Sequence, residues 1–179
     1  MLQVTFQYQG QQPVFETLKS LHFNYDNGKY ISNENAYRAT ITHAAETKQL
    51  LLTFSKELSF DQYKHLHKVV KTIAENIGAS VDDHLALMGY LEDGSEAFIV
   101  SGWEQWVRFL ETAKHVSMEG QKVQVYQDQQ LKGEGILLEA HKDETDNSHF
   151  RIISCTILSK SGEQVFSGNN LLILATGEF

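Results

Sequence analysis

Hydrophobic residues in this chain recur with period two on both sides of one segment, residues 59–78, where the period changes to three and four. There Tyr63, Leu66, Val70, Ile73 and Ile77 fall on a single helical face. Ser59 suits an N-cap, and Gln62 three residues later completes a capping-box pattern. Leu58 and Tyr63 occupy the positions of a hydrophobic staple, and Gly78 is placed to end the helix in a left-handed conformation. Start, stripe and stop agree on a helix over 59–77.

Before it, the chain reads as strands. In LQVTFQYQ (2–9), Leu2, Val4, Phe6 and Tyr8 alternate with Gln3, Thr5, Gln7 and Gln9, the pattern of a half-buried strand in an antiparallel sheet. A turn is predicted at residues 10–13, and residues 14–25 are apolar only in patches. Asp26-Asn27-Gly28 suits a two-residue type I′ hairpin turn, whose central residues both need positive φ. YRATITHA (37–44) and KQLLLTFS (48–55) read as a strand and its return, so a meander of four or five strands is expected. After the helix, Asp93-Gly94 lies between apolar runs and predicts a hairpin over 84–100, with a short helix beginning at Asp82 as the alternative. Ser101 and Glu104 repeat the capping-box spacing ahead of a second helix over 101–114. Its apolar face is Trp103, Trp106, Val107 and Leu110.

From Gln121 onward the pattern is all-β. KVQVYQ, GILLEA, HFRIISCTILS, EQVFS and LLILA are five strand-like runs separated by polar turns and glycines. About 60 such residues predict a small barrel of the SH3 or Sm type. So small a unit is marginal alone, so it is expected to pack on the preceding domain. The expected organisation is an α+β domain over 1–118, an antiparallel sheet covered by two amphipathic helices, and a small β-barrel-like domain over 119–179, with the boundary near residues 117–120. The polar stretch HKDETDNSH (141–149) is expected to be an exposed loop. The stretch GQKVQVYQDQQLKGEGILLEA (120–140) resembles the opening of small SH3-like barrels such as the C-terminal domain of bacterial biotin ligases. There, too, a Gly-x-x-Val strand leads into a glycine-containing strand. The resemblance covers about 20 residues, and nothing in residues 1–118 resembles the ligase catalytic core with its glycine-rich biotin loop. It therefore implies no activity and no site residue.

The balance of 41% hydrophobic and 21% charged residues is that of an ordinary globular chain. No run approaches the roughly 20 apolar residues of a membrane helix. The opening Met-Leu-Gln-Val-Thr has neither a cationic segment nor an apolar core, so no secretory signal and a cytoplasmic location are expected. Net charge is −8, divided evenly: residues 1–118 carry ten Lys/Arg and fourteen Asp/Glu, and residues 119–179 five and nine. Neither part has the cationic surplus that nucleic acid selects, and a basic protein partner fits the balance better. The single cysteine, Cys155, excludes an internal disulfide, and its β-branched surroundings predict a buried hydrophobe.

Several groups invite a functional reading. Asp61, His65 and His67 crowd into seven residues. Asp61 and His65, four apart, can meet on a helix surface and are the only weak metal candidates. Helical geometry puts both opposite the apolar stripe, and His67 lies about 200° round from His65. A zinc site wants three or four converging ligands, so the solvated-face reading is preferred. His84, His141 or His149 are distant, and nothing in the spacing enlists them. Asp82-Asp83-His84 reads as a polar turn or a cap before it reads as a metal or catalytic group. Gly133-Glu134-Gly135 lacks the spacing, the Lys-Ser/Thr pair and the following helix of a phosphate loop, so a tight turn or β-bulge is expected. Trp103 and Trp106 are core residues at that spacing, or else interface anchors. No nucleophile motif is present, so no catalytic residue and no cofactor is assigned.

The leading expectation is a non-catalytic binding protein of the bacterial cytoplasm, such as an inhibitor or immunity-type protein that masks a basic partner. The alternative is a small-molecule-binding protein or hydrolase, with a pocket between sheet and helices lined by converging His and Asp/Glu. The third is nucleic-acid binding through the C-terminal unit, which requires Lys122, Lys132, Lys142, Arg151 and Lys160 to form one basic stripe.

Overall fold

The computed structural model describes residues 1–32, 38–143 and 151–177. Among the described residues the fold is mixed: three helices accompany predominantly antiparallel strands. The chain divides into two compact units, Met1–Trp103 and Glu104–Phe179.

The first unit holds a six-stranded antiparallel sheet in the order β2-β3-β4-β5-β1-β6. Its strands are β1 (Leu2–Gln7), β2 (Phe23–Asp26), β3 (Lys29–Ser32), β4 (Ala39–Ala44), β5 (Gln49–Phe54) and β6 (Ser80–Asp82). The period-two pattern is realised in register: Val4 faces Leu52 and Phe6 faces Leu50, and all four are fully buried. Asn27 (φ 47°) and Gly28 (φ 83°) close the β2–β3 hairpin with two positive φ values, as a type I′ turn demands.

The expected simple meander holds only from β2 to β5. Between β1 and β2 runs a helix that no periodicity reveals, α1 (Val14–Ser20). Seven residues are two turns, too few for a stripe to declare itself. It buries Val14, Thr17 and Leu18 and carries the chain across, so that β1 pairs with β5 and β6 rather than with β2. Residues 33–37, where YRATITHA was expected to begin, lie outside the described residues.

The helix α2 (Phe60–Ile77) follows the sequence pattern closely. The Ser59 hydroxyl accepts from Gln62 N (3.3 Å), and the Gln62 side chain accepts from Ser59 N (2.7 Å), so the capping box is complete. Gly78 ends the helix at φ 58°, ψ 40°. Leu66, Val70, Ile73 and Ile77 are fully buried. Each such burial is worth about 1.5–3 kcal/mol against exposure, so the stripe outweighs any single cap. Ser59→Ala is accordingly expected to cost only about 1 kcal/mol in a urea titration, with the helical circular-dichroism signal retained in the absence of denaturant.

A two-stranded hairpin, β7 (Leu87–Tyr90) and β8 (Glu96–Phe98), follows at the expected Asp93-Gly94 turn. Residues from Asp82 onward end β6 and enter a turn, not a short helix.

The second unit contains most of α3 (Trp103–Val116) and a closed barrel of four strands in the order β10-β11-β12-β9. The division falls at the start of α3, ahead of the expected boundary near residues 117–120. The strands are β9 (Lys122–Gln127), β10 (Gln130–Lys142), β11 (Ile152–Ser159) and β12 (Gly162–Ala175). Five separate runs were expected, but EQVFS and LLILA join into one 14-residue strand. Gly168 (φ 142°) and Asn170 (φ 61°) bend β12 without breaking it, so its first part pairs with β11 and its last with β9. The barrel core is Met118, Val123, Val125, Leu137, Ile152, Cys155, Ile157, Leu171 and Ile173. Residues 144–149 of the expected polar loop lie outside the described residues.

Candidate functional site

The structure separates the histidine-rich trio of α2. Asp61 has a side chain 94% exposed, with Lys64 3.9 Å away. His65 is half-buried. His67 does not belong to the solvated face: it is buried, its Nδ1 donates to the Ile99 carbonyl (2.7 Å), and its ring stacks on Trp103 with centroids 4.2 Å apart. The carbonyl can only accept, so that bond sets the tautomer and ties α2 to the segment ahead of α3. Among the described residues, no three His, Cys, Asp or Glu side chains come together as a metal would need. His149 lies outside the described residues. Trp103 and Trp106 are 6% and 7% exposed.

Asp82-Asp83-His84 also splits. Asp82 and His84 form an exposed pair (2.9 Å), which lowers the carboxyl pKa and raises that of the imidazole, chiefly through their hydrogen bond. Asp83 is buried and accepts from Val100 N (2.7 Å), Ser101 N (2.7 Å) and the Ser101 hydroxyl (2.9 Å). Ser101 was expected to open the second helix as its cap. It turns its hydroxyl to Asp83 instead, and α3 begins at Trp103.

Gly133-Glu134-Gly135 is strand rather than a tight turn, with a register shift between Leu131 and Gly133 that fits the β-bulge expectation. Gln124 and then Lys122 hold the Glu134 carboxyl below its usual range. Cys155 is buried, and burial pushes its thiol up to about 11, so the thiolate needed for nucleophilic or redox chemistry is disfavoured.

Two surface features of the second unit were not visible in the sequence. One is a cleft of about 510 Å³ between the end of α3 and strands β10 and β11, with His115, Glu119, His141 and Asp143 among its lining residues. His115 Nδ1 donates to the Glu111 carbonyl (2.7 Å). His141 Nε2 lies 3.5 Å from Glu139, which also accepts from the Thr156 hydroxyl (3.1 Å). Such a lining can hold a small polar molecule.

The other feature is an apolar row on the outer face of the barrel. Tyr126 on β9 lies opposite Leu131 on β10 and opposite Leu172 on β12. Leu174 follows two residues along β12, on the same side. Leu131, Leu172 and Leu174 are 52%, 52% and 40% exposed. Part of this row floors a hollow of about 510 Å³ lined by Tyr126, Asp128, Gln129, Asn170, Leu172 and Leu174.

Of the five C-terminal cations, Lys122 and Lys160 gather at one carboxylate. Lys122 pairs with Glu134 (3.1 Å), and Lys160 lies beside the same carboxylate. Lys132 and Lys142 sit toward opposite ends of β10, the latter with Asp143 in the histidine-lined cleft.

Comparison with models of protein families finds no match, and comparison with curated proteins finds none. Among solved structures the chain is similar to a biotin protein ligase from Aquifex aeolicus in complex with biotin and ATP. The identity is 11%, over 91% of this chain and 68% of that chain, with a TM-score of 0.24. At that score neither fold nor activity carries over.

Proposed function

We propose that this chain is a non-catalytic protein-binding module that docks a basic partner on the outer face of an SH3-like barrel. The observation that carries the reading is the row Leu131–Tyr126–Leu172 with Leu174, a contiguous apolar surface open to solvent. A row of exposed apolar side chains is costly to leave wet, and patches of this kind mark interaction surfaces. The net charge of −8 favours a cationic partner and suppresses acidic ones. An inhibitor or immunity-type protein that masks a basic target is the concrete form of the reading, acting in the cytoplasm.

The test is a pull-down of the tagged chain from extract of the organism that makes it, beside the double variant Leu131→Glu/Leu172→Glu. Both side chains are half exposed, so the substitutions load the surface and not the core. A single stoichiometric basic protein is expected with the parent chain, lost at high salt and lost with the variant. Retention of no protein by the parent chain would sink the reading. The cleft lined by His115 and His141 supports a second reading, a small-molecule-binding protein or hydrolase. Native mass spectrometry that finds a small ligand retained by the parent and lost on His141→Ala would favour it.

A further inference from the structure

We infer that the hollow at the β9–β10 turn receives a cationic side chain of the partner, an arginine before a lysine. The inference rests on the docking reading above and deepens it. The floor is apolar and comes from two paired strands, with Tyr126 of β9 opposite Leu172 of β12 and Leu174 beside it. The Tyr126 hydroxyl is occupied, donating to Gln124 Oε1 (2.9 Å). The rim is polar and comes from one chain reversal and one bend, Asp128 and Gln129 in the hairpin turn and Asn170 in the bend of β12.

Asp128 is the only charged residue among the six that line the hollow. Its Oδ1 accepts from Asn170 Nδ2 (3.0 Å), which joins two segments 42 residues apart in sequence and holds the carboxylate at the rim. An ionised carboxylate offers about four acceptor sites, so one such bond leaves most of its capacity unused. An apolar floor ending in one carboxylate matches an aliphatic stem ending in a cation. Arginine fits best, because its fork can grip a carboxylate with two parallel bonds while its stem lies on leucine and its plane stacks on an aromatic ring. A neutral apolar side chain would strand Asp128 beside it, and an acidic one would be repelled. The volume of about 510 Å³ lies within the range of ordinary ligand pockets.

The experiment is an NMR titration of the full chain, labelled at leucine methyls and tyrosine rings, with the acetylated tripeptide amide Gly-Arg-Gly. The matched probe is Gly-citrulline-Gly, which keeps the shape and removes the charge. Saturable shifts at Tyr126, Leu172 and Leu174 are expected with the arginine probe, weaker on the order of fivefold with citrulline and with Asp128→Asn. Asparagine tolerates positive φ, so this variant keeps the turn at Asp128 (φ 50°). Equal affinity for both probes, equal affinity in the variant, or no saturable shift at these three residues would overturn the inference. Its failure is distinguishable from that of the docking reading. A basic partner retained equally by the parent and by Asp128→Asn keeps the reading and removes this site. An empty pull-down with a charge-selective titration does the reverse.

Discussion

Asp83→Ala is expected to destabilise the first unit by about 2–5 kcal/mol, because it strands the donors that converge on a buried carboxylate. Asp83 is 3% exposed, and three donors converge on its carboxylate: Val100 N, Ser101 N and the Ser101 hydroxyl. Alanine removes every acceptor and leaves two backbone N–H groups beside a small void. Each stranded donor costs about 1–3 kcal/mol, and hydrogen bonds to a charged group are themselves worth about 1.5–3 kcal/mol. Against a typical domain stability of about 5–15 kcal/mol, this is a large fraction. Asp83→Asn separates hydrogen bonding from charge. One amide oxygen can accept both backbone N–H groups, the amide nitrogen can donate to Ser101, and a loss of only about 1 kcal/mol is expected. Urea titrations of parent and variants, followed by circular dichroism, read both values. Equal midpoints for parent and Asp83→Ala would show that the network contributes nothing.

Gly135→Ala should open the barrel. A Cβ at this position would stand 2.4 Å from the Leu158 carbonyl oxygen, 2.8 Å from its carbon and 3.1 Å from Ser159 N. All three atoms are backbone of the neighbouring strand, so relief requires β10 and β11 to part at the corner where β10 passes from β9 to β11. Overpacking against movable side chains costs about 1–3 kcal/mol, and rigid backbone places this site at or above the top of that range. Gly133→Ala is the internal comparison. Its Cβ would meet the Phe166 ring at 2.6 Å and Ile157 Cδ1 at 3.3 Å, which are side-chain atoms that can shift. The expected order of destabilisation is Gly135→Ala above Gly133→Ala. Hydrogen exchange of amides in β10 and β11 should rise most in the former. The reverse order would show that the interior of the barrel, not its strand spacing, limits its stability.

The two sites differ in what the sequence could disclose about them. Gly133-Glu134-Gly135 is conspicuous as a string, and the β-bulge expectation follows from it. That Gly135 is needed for a close approach depends on Leu158, 23 residues later and across a strand pair. Asp83 is less conspicuous still. A polar turn was the natural reading of Asp82-Asp83-His84, and it holds for Asp82 and His84, which bond each other in solvent. Asp83 departs from it because Val100 and Ser101 arrive from 17 and 18 residues away with their N–H groups turned inward. His67 followed the same course. The solvated-face reading included it, and only the placement of Ile99 and Trp103 gave it a hydrogen bond and a stack inside.

What the sequence determined by itself was α2 and the tight turns, whose signals are complete within a few contiguous residues. The helix α2 has its stripe, its Ser59–Gln62 cap and its Gly78 stop within 20 residues, and each acts through local geometry. The Asn27-Gly28 turn is local for the same reason, since positive φ is a property of the residues themselves. The tertiary structure decided the rest. It set β1 beside β5 and β6, because a seven-residue helix with no readable period redirected the chain. It fused two expected strands into β12, because bending at Gly168 and Asn170 preserves the ladders on both sides. It also built the hollow at Asp128, and the β9–β12 part of the apolar row, from residues more than 40 apart in sequence. Pairing register is fixed by burial on one face and not by neighbours in the chain, so the residues brought together on the outer face carry no shared signal in the sequence.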